Sequence, residues 1–283
     1  MIKVFVYGTL RKGEVNHHLL RQAACMAEQA WALGTLYDTG YGYPAMKGEA
    51  NSNVYGELYE VAEKELARLD ILEDYTEGGK DNLYERIQQT VYTDHGPLQA
   101  YLYVTNKEDL LKKKIPNGDW KEYRLLADPS GSVLYFAYGS CMDTVRFESD
   151  GFAHYFQEMV GVGVLPNYTL RFTRKSTQDG WGRADIVEEG GRVEGKVYNI
   201  PVKALTEYLY HREGAPKAYR PTFVELELNG ENILALTFVV TKKDKETTPP
   251  PHYEQEILRG AKDFLSAPYI TKLQNYINTL RSK

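Results

Sequence analysis

The sequence predicts an α+β protein made of two tandem copies of one domain, and three observations predict it. A short apolar strand ending in Tyr-Gly and a hydroxyl residue occurs twice, as Val4-Phe5-Val6-Tyr7-Gly8-Thr9 and as Leu134-Tyr135-Phe136-Ala137-Tyr138-Gly139-Ser140. A glycine-containing strand also occurs twice, over 54–61 around Gly56 and over 193–200 around Gly195, so the order of elements repeats at an interval of about 130 to 140 residues. Within each copy the elements run strand, helix, several strands, helix, strand, strand, which is not the strict βαβα alternation of a doubly wound sheet.

Each copy opens on its Tyr-Gly strand and reaches its glycine-containing strand further on. Helical stretches over 62–75 and 201–212 follow, each leading to a Gly-containing loop and then to an aromatic-led strand at Tyr84-Glu85-Arg86-Ile87 or Tyr219-Arg220-Pro221-Thr222-Phe223. A closing strand lies over 99–105 in the first copy and over 233–241 in the second. Asp128-Pro129-Ser130-Gly131 breaks the pattern just before the second Tyr-Gly strand, which divides the chain into domains over 1–130 and 131–283. The lysine runs Lys112-Lys113-Lys114 and Lys242-Lys243-Asp244-Lys245 follow the closing strands and read as solvated loop. Pro249-Pro250-Pro251 reads as a stiff spacer before helices over 253–264 and 269–280.

Composition supports this division and narrows the function. A chain of 283 residues has room for two domains of roughly 150 residues each. Hydrophobic residues at 42% and charged residues at 26% are globular proportions, which exclude a disordered, collagen-like or coiled-coil chain. The 23 tyrosines suit pleated, β-rich domains. A net charge of −5 leaves no cationic surplus to neutralise a phosphate backbone, so nucleic acid is not an expected partner. No run approaches roughly 18 consecutive apolar residues, and Ile2-Lys3-Val4-Phe5-Val6-Tyr7 lacks the build of a secretory leader. No membrane partner is expected, and the expected location is the cytoplasm. Cys25 and Cys141 form neither a disulfide framework nor a metal pattern, a usage typical of reducing compartments.

Two features could carry chemistry. The bend Tyr7-Gly8-Thr9-Leu10 and its copy Tyr138-Gly139-Ser140-Cys141 each end a strand on glycine, where successive backbone N–H groups can hold an anion. In the helical stretches, Leu66, Leu69 and Glu73 are spaced three and four apart, and Leu205, Leu209 and Glu213 four and four, so each spacing sets a carboxylate on an apolar stripe. Desolvation there raises a carboxyl pKa toward the range useful for proton transfer. The structural alternative is a Glu at a helix C-terminus that reaches solvent.

Other chemistries find less support. The six histidines show no HxxxH or HxH spacing, and no metal is expected. Cys25 falls in a helical-looking Arg21-Gln22-Ala23-Ala24-Cys25-Met26 stretch and reads as a buried small hydrophobe. Cys141 has no partner in sequence to activate it as a nucleophile. The GxGxxG, GxxxxGK[ST] and GxSxG patterns are absent.

These residues also carry a resemblance to a known family. Tyr7-Gly8-Thr9-Leu10-Arg11, Gly34-Thr35-Leu36-Tyr37, Tyr43-Pro44-Ala45, Gly56-Glu57-Leu58-Tyr59 and Leu69-Asp70-Ile71-Leu72-Glu73 before Tyr84 resemble a γ-glutamylamine cyclotransferase or AIG2-like domain. The second half is similar to γ-glutamylcyclotransferase in its Tyr-Gly-Ser strand, the Gly180-Trp181-Gly182-Arg183-Ala184-Asp185-Ile186 segment, Arg212-Glu213-Gly214 before Tyr219, and the closing helices. The resemblance implies that each domain is a small mixed β-barrel with flanking helices. It further implies an enzyme of acyltransferase or lyase type, without metal or organic cofactor, that cleaves a small-molecule γ-glutamyl amide by cyclising the glutamyl group to 5-oxoproline. Carried over by position, Glu73 and Glu213 are the acid/base residues, and the bends Tyr7 to Leu10 and Tyr138 to Cys141 hold the glutamyl group.

One position departs from the pattern. Cys141 stands where γ-glutamylcyclotransferases usually have Asn, which keeps two alternatives open: a silent protein that binds γ-glutamyl ligands, or one active and one degenerate domain. The leaving amine and the oligomeric state are left open.

Overall fold

A computed structural model describes residues 1–48 and 52–282. The chain forms two compact units, Met1–Arg124 and Leu125–Lys283. The first contains strands β1 (Ile2–Val6), β2 (Ala24–Leu33), β3 (Thr35–Asp38), β4 (Pro44–Lys47) and β5 (Asn53–Val61), then helix α1 (Glu63–Leu72). Strands β6 (Glu85–Thr93), β7 (Gly96–Val104) and β8 (Lys113–Lys114) follow, and helix α2 (Trp120–Leu126) spans the division. The second contains β9 (Ser132–Ala137), α3 (Thr144–Ser149), β10 (Met159–Pro166), β11 (Thr169–Lys175), β12 (Gly182–Val187) and β13 (Arg192–Pro201). It ends with α4 (Tyr210–Glu213), β14 (Tyr219–Leu228), β15 (Glu231–Val240), α5 (Pro251–Ala261) and α6 (Ala267–Arg281).

Each unit is a closed five-stranded barrel, ordered β1-β5-β2-β6-β7 in the first and β10-β13-β9-β15-β14 in the second. Read around the ring from β9, the second order is the first one over again. Neighbours are antiparallel except at one seam, where the first and last barrel strands run parallel: Val4 opposite Tyr101, and Tyr135 opposite Leu236. The tandem α+β architecture of two small mixed barrels is therefore as expected.

The glycine of the second repeated strand has a steric cause. A Cβ on Gly56 would lie 2.2 Å from the Val6 carbonyl oxygen, and one on Gly195 would lie 2.4 Å from that of Ala137. Only a residue without a side chain lets the neighbouring strand pass so close. Inside, alanines alternate with large residues to fill a narrow ring: Ala27, Ala30, Ala32 and Ala100 pack with Phe5, Leu58 and Leu102 in the first unit. Val197, Val224, Leu226 and Ala235 pack with Phe136 in the second.

Several local expectations are corrected. Cys25 lies on β2 opposite Tyr59 and is exposed, not buried on a helix. Pairing with β5 across the barrel overrides the helix propensity of the alanine-rich stretch. Lys113 and Lys114 form β8, which pairs with β3, so that run is a strand edge with exposed side chains. Pro251 is the first residue of α5, a position where the missing N–H costs nothing.

Candidate active site

Both candidate sites are built from the same parts. Helix α1 starts where the Glu65 carboxylate accepts the Ala62 N–H at 2.8 Å, and it buries Leu66 and Leu69. It stops at Glu73, whose N–H still reaches the Leu69 carbonyl at 2.9 Å, because Asp74 turns left-handed at φ 49°. In the second unit a π-helical turn, Leu205–Leu209, runs into α4, and Gly214 makes the same left-handed exit at φ 62° directly after Glu213. The wider π turn still buries Leu205 and Leu209. Each Glu is thus the residue before a forced change of chain direction, next to an apolar stripe.

The bends are fixed by two further devices. After each Tyr-Gly the chain closes a tight turn, with the Arg11 N–H on the Gly8 carbonyl at 3.1 Å and the Met142 N–H on the Gly139 carbonyl at 3.0 Å. The tyrosine of each bend latches the first barrel strand to the last: the Tyr7 hydroxyl donates to the Tyr103 carbonyl at 2.8 Å and the Tyr138 hydroxyl to that of Phe238 at 2.6 Å. The tyrosine that leads the next strand latches the hairpin walling the site. Tyr84 donates to the Pro44 carbonyl at 3.1 Å, and Tyr219 to that of Ala184 at 2.7 Å.

The residue after the close-approach glycine anchors the bend from below, with opposite charge in the two units. In the first, buried Glu57 accepts from Arg11 Nε at 3.3 Å and from the Lys12 N–H at 2.9 Å, while Arg11 Nη1 reaches Asp119 at 2.9 Å. In the second, Lys196 Nζ donates to the Met142 carbonyl at 2.9 Å.

In the first unit Tyr7, Gly8, Thr9, Leu10 and Glu73 all line one cavity of about 370 Å³. Asn16 also lines it and holds the bend by donating to the Thr9 hydroxyl at 3.0 Å. Burial pushes the Glu73 carboxyl up from 4.5 to about 7, so near neutrality it exists in both protonation states. The Tyr7 phenol, buried and facing Tyr84 and Glu73, is raised well above its ordinary value and stays neutral.

In the second unit Tyr138, Gly139, Ser140, Cys141 and Glu213 line a void of only about 30 Å³. Ser140 and Glu213 also line a cleft of about 740 Å³. The Cys141 thiol donates to Glu213 Oε1 at 3.0 Å. Arg212 donates from Nε to Cys141 Sγ and from Nη2 to the Ser140 hydroxyl, both at 3.1 Å, and its Nε lies 3.8 Å from Glu213 Oε1. Burial pushes the Cys141 thiol up to about 12, which keeps it a thiol and not a nucleophilic thiolate. The Glu213 carboxyl is also raised by burial, an effect that Arg212 and the thiol hydrogen bond oppose.

Spacing pointed to the bends and acids but not to everything around them. Tyr41 and Tyr43 reach the first cavity from the β3–β4 hairpin, and the glycines at 40 and 42 were the available signal of a turn there. Tyr253 enters the second site from α5, where its hydroxyl accepts the Ala184 N–H at 3.2 Å. No local pattern marks it, because tertiary packing brings it in. No cluster of three or more His, Cys, Asp or Glu that could hold a metal occurs among the described residues, and no helix among them is long and apolar enough to cross a membrane.

Comparison with known proteins agrees with this duplicated geometry. The family described as Gamma-glutamyl cyclotransferase, AIG2-like, matches residues 4–122, and the AIG2-like family matches residues 192–273. YkqA of Bacillus subtilis (strain 168), provisionally named a gamma-glutamylcyclotransferase, is 44% identical over 281 residues, covering 98% of this chain and 98% of that protein. The crystal structure of YkqA aligns with a TM-score of 0.88 at 43% identity, over 99% of this chain and 98% of that one. Gamma-L-glutamyl-butirosin B gamma-glutamyl cyclotransferase of Niallia circulans is 44% identical over 126 residues, 44% of this chain and 79% of that protein. The chain therefore belongs to the gamma-glutamylcyclotransferase family, as two AIG2-like domains in tandem.

Proposed function

We propose that the protein cleaves a small γ-glutamyl amide by intramolecular cyclisation, releasing 5-oxoproline and an amine, with Glu73 and Glu213 as acid/base residues. The observation that carries this reading is the Glu73 carboxyl, raised to about 7 by burial, on the same cavity as the bend from Tyr7 to Leu10. The substrate supplies its own nucleophile. Its α-amine attacks its own γ-carbonyl, the C–N bond of the new five-membered ring forms, and the bond to the leaving amine breaks. Holding both groups in one well-oriented molecule is worth about 7–11 kcal/mol. What remains is proton transfer. As carboxylate, Glu73 takes the proton that the α-ammonium must lose; as acid, it returns that proton to the departing amine. A pKa near the working pH suits one group to both steps. Backbone N–H groups of the bend would hold the α-carboxylate or the developing oxyanion.

No cofactor enters this chemistry, and Cys25 and Cys141 as thiols outside any disulfide fit a reducing, cytoplasmic setting. A second reading, in which only the first unit turns over substrate, is favoured by the ties from Cys141 and Arg212 to Glu213. The test is release of 5-oxoproline from a panel of γ-glutamyl amides. Glu73→Gln combined with Glu213→Gln should abolish release while far-UV circular dichroism stays native; undiminished turnover in that double variant would falsify the assignment.

A further inference from the structure

We propose that Arg212 is a positioning residue of the second unit, one whose guanidinium fork fixes the bend at Ser140 and Cys141 and the Glu213 carboxylate relative to one another. The proposal rests on the reading in which Glu213 acts as acid and base, and it gives a use to the ties around that residue. It starts from a difference between the copies: Arg212 stands directly before Glu213, where the first unit has Leu72 before Glu73.

A leucine makes no directed contact, whereas every nitrogen of this guanidinium is engaged. Nη2 donates to the Ser140 hydroxyl and Nε to Cys141 Sγ, both at 3.1 Å and both on the bend. Nη1 donates to the Tyr208 hydroxyl at 3.2 Å and to Asp150 Oδ2 at 3.4 Å, and Tyr208 donates to the same Asp150 oxygen at 2.8 Å. The planar fork is thereby held from two sides, by the bend and by the pair of Tyr208 and Asp150. Its side chain is only 10% exposed, so these contacts are made largely out of water.

A guanidinium has donors and no acceptor. Cys141 Sγ therefore accepts, from Arg212 Nε and from the Tyr135 phenol, and its S–H is left to donate to Glu213 Oε1 at 3.0 Å. The arginine thus turns the thiol, and the thiol holds the carboxylate. In the first unit the bend is held instead by Asn16, which donates to the Thr9 hydroxyl at 3.0 Å.

Charge accompanies geometry. Arg212 Nε lies 3.8 Å from Glu213 Oε1, and the carboxyl that burial raises is drawn back down by this cation and by the thiol hydrogen bond. The other titratable groups facing Glu213 are Tyr135 from β9, Tyr138 from the bend, Tyr219 from β14 and Tyr253 from α5; burial raises all four phenols, which stay neutral. Asp150 meets the far side of the fork. His211 and His252 line the outer cleft and are common to every variant compared, so they do not enter the difference between them. Removing the guanidinium therefore pushes the Glu213 carboxyl further up.

The test uses the full-length chain carrying Glu73→Gln, so that release of 5-oxoproline reports on the second unit, with γ-glutamylglycine, ε-(γ-glutamyl)lysine and glutathione as substrates. Arg212→Leu, which copies the first unit, should move the acid limb of kcat/KM upward by at least about one pH unit, the effect of losing an opposite charge within about 4–6 Å. Arg212→Lys keeps a cation without the fork. Its limb should stay within about half a unit of the parent's while its plateau falls about tenfold or more, because misplacement by about 1 Å can cost ~100-fold. If circular dichroism shows that Arg212→Leu does not fold, Arg212→Gln carries the same expectation for the limb. A lowered plateau with an unmoved limb is what a merely structural role would give, and it overturns the proposal, as does a lysine variant with the parent's plateau. Absence of release from the Glu73→Gln chain overturns it too, and release from a Glu213→Gln chain would then leave the cyclotransferase reading standing. Release from neither chain nor from the parent overturns both.

Discussion

Glu73 makes the protein's stability depend on pH in a direction opposite to that of most surface carboxylates. Its folded value of about 7 lies above the ordinary 4.5, so between those values the native state binds more protons than the unfolded chain. Stability then falls as pH rises through that window. Glu73→Gln, which stays neutral, should be more stable than the parent by about 2 kcal/mol at pH 8, after discounting for the half-buried position. The difference should vanish at pH 4, as read by urea denaturation at both pH values. If Glu73 is the base, the acid limb of the pH–rate profile should bend near 7. The two thiols should differ as well. Native protein treated with iodoacetamide at pH 8 should gain one adduct, at exposed Cys25, while buried Cys141 with its raised pKa reacts only in urea. Two rapid adducts in the native mass spectrum would contradict that burial.

At the level of elements, the close approach at Gly56 and Gly195 and the buried ion network under the first bend carry the clearest penalties. Gly56→Ala or Gly195→Ala puts a methyl within 2.4 Å of a carbonyl oxygen, and overpacking against backbone should cost at least about 2 kcal/mol in denaturant titration. Arg11→Met, which copies Met142 of the other unit, strands Glu57 and Asp119 without their guanidinium and should cost about 3–5 kcal/mol. How much of each element could be read in advance follows from what fixed it. The apolar strands and the leucine stripes of the two helical stretches were legible because burial alone sets their period. The strand at Cys25 was not, because its alanines favour a helix until β5 and β6 pair with it. The acids Glu73 and Glu213 were marked by spacing from their leucines, whereas Tyr41 and Tyr253 belong to elements whose approach depends on the whole unit.

Across the molecule, duplication has kept the scaffold and altered the sites. Ring order, parallel seam, tyrosine latches and left-handed exits recur in both units. The second Glu borders both a void of about 30 Å³ and a cleft of about 740 Å³, and its carboxyl is tied to Cys141 and Arg212. If the first unit alone turns over, Glu73→Gln should remove more than about nine-tenths of 5-oxoproline release and Glu213→Gln less than about one-tenth, a split on the scale that loss of an acid/base group produces. Equal losses would assign the reaction to both. The repeat of Tyr-Gly strands made the scaffold legible from sequence. The occupancy of the second site was not, since the reach of Arg212 and Cys141 toward Glu213 is a matter of side-chain direction that no spacing encodes.

The parallel seam between β1 and β7 bears on how the protein is made. During synthesis β1 is made well before β7, so after β5 has paired with one of its edges the other still waits for Tyr101. Until then that edge of the strand in the nascent chain is open, an invitation to self-association. Ribosomes stalled or terminated before Gly96 should therefore yield chains that collect in the pellet.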